Sequence, residues 1–106
     1  MATPRPYEVR LSSAAARQVR RLARPTWQRI DEHLRHEAVR IADPQGGRGG
    51  KAVKLMHGQH GHVHRLRVGT WRVLYELDHE RRVLRVDAVI ARRDLERWLR
   101  DHRRDY

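Results

Sequence analysis

Arginines are the residues of this chain that are most suited to chemistry. Three of them, Arg65, Arg67 and Arg72, stand in the stretch 62–77, and Arg92 and Arg93 follow a later apolar run. A guanidinium group is planar and binds two phosphate oxygens at once through its parallel N–H donors. Because it is effectively never deprotonated, it can neutralise a phosphate but is a poor proton acceptor. The arginines therefore predict a phosphate-binding surface, and a proton transfer there would need another side chain.

Histidines are the candidate acids and bases. Four of them stand at positions 57, 60, 62 and 64, and His62 and His64 are the nearest to the arginines in sequence. An imidazole titrates near neutral pH, so either residue is a candidate acid or base. A zinc site is disfavoured, because glycines separate the histidines and the segment holds neither cysteine nor carboxylate. We expect a surface loop of neutral histidines without a metal.

A predicted β-hairpin positions the first three arginines. Apolar and polar residues alternate on both sides of Gly69-Thr70, a two-residue turn with glycine first, as in type II′ turns. The turn sets the register, with the pairs Val68–Trp71, Arg67–Arg72, Leu66–Val73, Arg65–Leu74 and His64–Tyr75. Since side chains alternate between faces, one face is apolar and includes His64, while the other is cationic.

The cationic face carries an energetic cost. Like charges directly opposite each other destabilise a sheet, by an amount comparable with the ~0.2–1 kcal/mol of favourable cross-strand pairs. Arg67 and Arg72 either spread into water, screened by salt and partly compensated by Glu76, or lie under an anion. In a chain with 24 Lys and Arg, 13 Asp and Glu and a net charge of +11, we interpret the face as a phosphate-binding surface.

Length and composition set the class of protein. The 106 residues predict a single domain spanning 1–106. The absence of cysteine excludes disulfides and thiolate sites. No apolar run approaches the roughly 20 residues of a membrane span, and the N-terminus lacks the apolar core of a secretory signal. We therefore expect a cytoplasmic protein without a membrane partner, and the charge predicts nucleic acid, an acidic protein or both as partners.

Hydrophobic periodicity predicts the remaining elements. Strands are predicted at Tyr7–Leu11, Lys51–Met56 and Val83–Ala91. A helix of about three turns begins at Ser12 or Ser13 and ends at Pro25, and a second helix carries the apolar stripe Trp27, Ile30, Leu34, Ala38 and Ile41. A terminal helix begins at Arg92, with Leu95, Trp98 and Leu99 on its inner side. Asp43-Pro44 should stop the second helix, and residues 45–50 form a glycine-rich loop. The order β-α-α-β-β-β-β-α predicts an α+β fold, with a helical hairpin packed on a mostly antiparallel sheet of four to five strands and a C-terminal helix.

With the elements in this order, the sequence resembles a known superfamily. KLMHG at 54–58, HRLRVGTWRVLYELD at 64–78 and VLRVDAVIARRDLER at 83–97 are similar to RelE/ParE toxins of type II toxin-antitoxin modules, and nearer to the RelE branch. YEVRLSSAAARQVRRL at 7–22 extends the resemblance to nearly the whole chain. It implies a RelE-like fold and a ribosome-dependent endoribonuclease that cuts mRNA without a metal or other cofactor. It also implies an acidic, RelB-like antitoxin as the cognate partner.

The resemblance assigns roles position by position. Arg72 matches the family's arginine at the scissile phosphate, Arg65 stands where the family has a lysine, and Arg92 matches the arginine after the last strand. These three are the expected catalytic residues. The remaining basic positions nearby are expected to bind RNA, namely Lys54, Arg67 and Arg93.

Departures from the family pattern leave alternatives open. Val63 replaces a basic residue, Ala91 replaces a histidine or glycine, and Glu96 or Trp98 stands where a tyrosine is common. Since arginine does not accept protons, no general base is identified. The alternatives are a ParE-like inhibitor of DNA gyrase and a homologue that keeps the fold and the antitoxin interface but has lost activity.

Overall fold

The computed structural model describes residues 4–47 and 49–102, so Arg48 of the predicted glycine-rich loop lies outside the described residues. The elements are strand β1 (Glu8–Leu11), helices α1 (Ser13–Arg20) and α2 (Arg24–Ala42), strands β2 (Val53–Leu55), β3 (His64–Val68), β4 (Trp71–Asp78) and β5 (Val83–Ala91), and helix α3 (Leu95–Asp101). Short 3₁₀ turns lie at Gly58–His60 and Arg92–Asp94. The predicted α+β class and the order of elements are confirmed.

The five strands form one mixed sheet in the order β1-β5-β4-β3-β2. β1 runs parallel to β5, and the other neighbours are antiparallel. The β3–β4 register is the predicted one, with Arg67 opposite Arg72. Gly69 has φ +58°, and among the described non-glycine residues only Arg82 has a positive φ. This is the type II′ pattern, which needs a left-handed residue only at the first turn position.

The two helices depart from prediction where they meet. α1 begins as expected, with the Ser12 Oγ accepting the Ala15 N–H at 3.0 Å. It ends at Arg20 rather than at Pro25, so it makes little more than two turns instead of three. Pro25 instead lies in the first turn of α2, where its missing N–H leaves no bond unmade. The prediction that Pro25 ends α1 was therefore wrong.

The sheet packs on both faces. On one face, Ile30, Leu34 and Ala38 of α2 are buried against the apolar side of the hairpin.

None of the helices in the described part of the chain is both long and apolar enough to span a membrane.

The other face of the hairpin is only partly cationic, which corrects the sequence prediction. Leu74 is fully buried there with Val63 and Ala88, in a cluster that Leu95 and Trp98 cover from the α3 side. We call these five residues the Leu74 cluster. The sequence did not indicate that α3 folds back over this face, because a seven-residue helix can dock on either side of a sheet.

A β-bulge places two carboxylates side by side at the far end of the same face. β4 pairs Leu74 with Ala88 and then Tyr75 with Val86, so Asp87 is left over. Arg85 donates to both Glu76 and Asp87, and His62 Nε2 lies 3.5 Å from Glu76 Oε1. Burial, followed by the hydrogen bond to Glu76 and its charge, raises the pKa of Asp87 to about 7. Burial alone would raise the pKa of Glu76 as well, but hydrogen bonds from Asp87 and Arg85 hold it below its usual value.

We predict that Asp87→Asn makes stability less dependent on pH. Folded Asp87 keeps its proton up to about pH 7, whereas the unfolded side chain loses it near 3.8. Between these values the folded state binds more protons, so the parent loses stability as the pH rises through this window. Asparagine has no proton to lose. Urea unfolding at steps between pH 4 and 8 measures the difference.

Asp101→Asn is the matched control, because Asp101 is exposed at the end of α3. It should follow the parent's pH dependence. If Asp87→Asn also followed the parent, Asp87 would be ionised in the folded state throughout the range between pH 4 and 7, and its pKa would not be raised by burial.

Candidate functional site

The tip of the β3–β4 hairpin opens into a groove of about 820 Å³. We call it the arginine groove, and it is lined by Arg65, Arg67, Thr70, Trp71, Arg72, Ala91, Arg92, Arg93, Leu95 and Glu96. Two strands and the 3₁₀ turn after β5 supply its arginines. The Arg92 N–H donates to the Thr70 carbonyl at 2.8 Å, which holds this turn against the hairpin tip. Five of the six arginines and lysines expected at the site are therefore brought together.

Arg72 forms the floor of the groove and braces the turn. It is only 6% exposed, and its Nη1 donates to the carbonyls of Gly69 at 2.9 Å and Trp71 at 2.8 Å. Burial lowers the pKa of Arg72, and the charges of Arg65, Arg92 and Arg67 lower it further. The charges acting on this guanidinium are thus all positive. Its field reaches the groove although most of its surface is covered.

The groove arginines have no carboxylate partner in the part of the chain that the structure describes. The arginines that do form ion pairs in the described part of the chain lie outside the groove, and they are Arg10, Arg35, Arg40, Arg85 and Arg97. The buried Nε of Arg65 has no hydrogen-bond partner among these residues. A buried donor left unsatisfied costs about 1–3 kcal/mol. The groove therefore holds surplus positive charge that an anion would neutralise, while the Arg65 Nε remains a buried donor without a partner.

Lys54 extends the cationic surface beyond the groove. It lies directly opposite Arg65 in the β2–β3 pairing, so the two side chains share a face. Lys54 is exposed on the outermost strand and does not line the groove. The structure thus places it beside the groove arginines rather than among them.

His64 lies on the opposite side of the sheet from the groove. Its ring stacks on Tyr75, with centroids 5.1 Å apart and planes 8° from parallel, on the face covered by α2. Burial lowers the pKa of His64, and the charge of Arg40 adds to this effect. The side chain therefore points away from the five arginines.

His62 is on the same face as the arginines but at the other end. Its neighbour Glu76 is four residues along β4 from Arg72, which is about 13 Å at 3.3 Å per residue. The Leu74 cluster fills the space between them. Neither candidate histidine is thus brought to the groove, and no group of three or more His, Asp or Glu within 4–47 and 49–102 is arranged to hold a metal ion.

Five of the described lining residues were not predicted as site residues, and Trp71 and Glu96 are the most informative of them. Trp71 packs partly on the apolar core, as its face predicted, yet it also lines the groove because it stands at the hairpin tip. Glu96 is the one carboxylate among the described lining residues. Its place beyond the last strand, near where the resembling family often has a tyrosine, was the available signal.

Comparisons with known proteins agree with the fold. The chain matches the family model of the ParE toxin of the type II toxin-antitoxin system parDE over residues 9–96. No match was found among curated proteins.

Solved structures of toxins are similar in fold. The toxin-antitoxin complex RelBE2 from Mycobacterium tuberculosis has a chain with TM-score 0.66 and 23% identity, covering 83% of this chain and 100% of that one. The RelE-RelB complex from Pyrococcus horikoshii OT3 has a chain with TM-score 0.61 and 20% identity, covering 83% of this chain and 97% of that one. The isolated E. coli RelE toxin gives 0.58 and 18%, covering 90% and 98%. Identities this low show a common fold and nothing finer.

The family match spans most of the chain and includes every residue that lines the arginine groove. The superfamily resemblance found in the sequence is thereby confirmed. This chain belongs to the RelE/ParE superfamily and is a toxin of a type II toxin-antitoxin system.

Proposed function

We propose that the protein is a metal-independent endoribonuclease that cuts mRNA on the ribosome and so inhibits translation. The observation that carries this proposal is the arginine groove, in which five guanidinium groups converge without a carboxylate partner in the described chain. A polyanionic strand would relieve their mutual repulsion. The RelE-like fold supports the same proposal.

The groove suits the charge that develops during RNA cleavage. When a ribose 2′-oxygen attacks the adjacent phosphorus in line, the pentacoordinate phosphorane carries more negative charge than the starting phosphodiester. Donors fixed in advance around such a centre stabilise it without reorganising at the moment of reaction. In our proposal Arg65 and Arg92 bind the phosphate oxygens from the groove walls, while Arg72 contributes its field from below. Lys54, Arg67 and Arg93 hold the flanking backbone.

A ParE-like inhibitor of DNA gyrase is the second candidate. It is favoured by the family model that matches, which is that of ParE. The absence of both candidate histidines from the groove also favours a protein that binds without cutting. Induction that triggers DNA-damage signalling while mRNA stays intact would select this candidate. A free protein without any effect on growth would indicate an inactive homologue.

An acidic, RelB-like antitoxin is the proposed cognate partner. The chain carries a net charge of +11, and its groove holds much unpaired positive charge. Similar folds occur in complexes with antitoxins, in Mycobacterium tuberculosis and in Pyrococcus horikoshii. An acidic segment lying in the groove would exclude RNA and would thereby neutralise the toxin.

Arg92→Ala is the cleanest test of the nuclease proposal. Arg92 is exposed, whereas Arg72→Ala would also remove two hydrogen bonds that brace the turn. Loss of one donor at a developing charge typically costs about 10²–10³ in rate. We therefore expect the variant to cut mRNA on purified ribosomes that much more slowly and to relieve growth arrest. The cleaved ends, a 2′,3′-cyclic phosphate and a 5′-hydroxyl, report the chemistry.

Arg81→Ala is the charge-matched control, because Arg81 is exposed in the β4–β5 turn at the opposite end of β4 from the groove. It should cut and arrest growth like the parent. Equal thermal unfolding of both variants would show that the fold is intact. Full cleavage by Arg92→Ala would remove the groove from the mechanism.

Antitoxin binding should weaken as salt rises from low to physiological ionic strength. Salt screens exposed charges beyond about 8 Å at 0.15 M, so association guided by charge becomes slower. Stopped-flow measurements over this range give the slope of the logarithm of the association rate constant against the logarithm of the salt concentration. Arg67→Ala should make the slope shallower, and Arg81→Ala should leave it closer to the parent's. An association rate indifferent to salt would argue against a charge-led interface.

A further inference from the structure

The proposed reaction needs a proton acceptor that the arginines do not provide. Attack by the 2′-hydroxyl forms a new P–O bond, and the hydroxyl must lose its proton as that bond forms. A general base placed within hydrogen-bond reach contributes typically 10²–10⁴-fold to such a step. Guanidinium groups stay protonated at every accessible pH, so none of the five groove arginines can serve.

Only one of the described residues that line the groove has the chemistry of a general base. Apart from its arginines, the described lining consists of Thr70, Trp71, Ala91, Leu95 and Glu96. A hydroxyl, an indole and two aliphatic side chains are not proton acceptors near neutral pH. A carboxylate is such an acceptor, so Glu96 alone of these residues has the required chemistry.

The other candidate bases are kept away by the packing. His64 is stacked on Tyr75 beneath α2, on the far face of the sheet. His62 and Glu76 lie together beyond the Leu74 cluster, and Glu76 is also bonded to Arg85.

Glu96 is held at the groove from both sides along the chain. Before it, the Arg92 N–H is bonded to Thr70 of the hairpin turn. Around it, Leu95 and Trp98 of α3 pack into the Leu74 cluster and fix the orientation of the helix. Glu96 itself is exposed, and it takes part in none of the ion pairs of residues 4–47 and 49–102. The backbone that carries Glu96 is thus held at the groove, and its carboxylate is not engaged in an ion pair in the described structure.

We infer that Glu96 is the general base, a role that rests on the proposed endoribonuclease function. A Glu96 oxygen takes the proton of the 2′-hydroxyl while the 2′-oxygen bonds to phosphorus. The bond from phosphorus to the 5′-oxygen breaks, and that oxygen takes a proton from water to become a 5′-hydroxyl. The upstream product carries a 2′,3′-cyclic phosphate, and Glu96 returns its proton to water.

The arginines and Glu96 have different roles in the proposed reaction because their charges are opposite. Arg65 and Arg67 reach the groove from β3, Arg72 from β4, and Arg92 and Arg93 from the turn before α3, so every other charged group lining the groove with Glu96 is a cation. These cations stabilise the phosphorane and do not titrate in the working range. Glu96 is therefore the one lining group that can make the rate depend on pH.

Single-turnover cleavage of a defined mRNA on programmed ribosomes tests the inference. Glu96→Gln keeps the size and hydrogen bonding of the side chain but removes the acceptor, so the rate constant should fall about 100-fold or more. Ribosome binding should stay at the parent's level. Glu96→Asp keeps a carboxylate on a shorter stem and should recover part of the rate. Glu80→Gln, which changes an exposed glutamate in the β4–β5 turn, should cut like the parent.

A pH profile separates a base from a merely structural residue. The parent's rate should fall on the acid side as the acceptor becomes protonated, and this limb should be missing in Glu96→Gln. If Glu96→Gln kept both the parent's rate and its acid limb, the inference would be overturned, while cleavage by the parent would leave the nuclease proposal standing. Failure of the parent to cut mRNA on ribosomes would overturn both.

Discussion

Repulsion among guanidinium groups at the hairpin tip is the constraint around which this structure is arranged. Arg67 faces Arg72 directly across the strands, and Arg65, Arg92 and Arg93 surround the same groove. Each approach costs free energy that no ion pair in the described chain offsets. Two hydrogen bonds from Arg72 to the carbonyls of Gly69 and Trp71 tie the central cation of this cluster to the turn. Charge held in this way is available to an incoming anion.

Packing on both faces of the hairpin supplies the stability that this arrangement uses. α2 covers one face, where Leu34 is fully buried, and α3 covers part of the other through the Leu74 cluster. A strand fixed from both sides cannot change register, because a shift by one residue would move every buried side chain to the opposite face. The strand positions that carry Arg65, Arg67 and Arg72 are therefore fixed relative to one another, which favours the preorganisation of charge that stabilises a transition state.

On the hairpin face that α3 partly covers, the cations and the carboxylates occupy opposite ends. Cations gather at the tip, whereas Glu76, Asp87 and His62 gather around the bulge at the other end. The Leu74 cluster between them keeps the two groups apart, so that the carboxylates form no ion pair with the groove arginines among the described residues. An apolar partition about four residues long thus separates the cationic groove from the carboxylate pair at the bulge.

Alternation and turn geometry act within a few residues, so the amino-acid sequence was sufficient to predict the order of elements, the turn, the β3–β4 register and the shared face of Arg65, Arg67 and Arg72. It did not determine the end of α1, the docking of α3 or the bulge at Asp87, which depend on contacts between distant segments. The family resemblance had assigned Arg92 and Arg93 to the site, whereas long-range packing was needed to bring Glu96 to the hairpin tip and to remove His62 and His64 from it. Proximity in sequence had favoured the histidines, whereas long-range packing placed a carboxylate there.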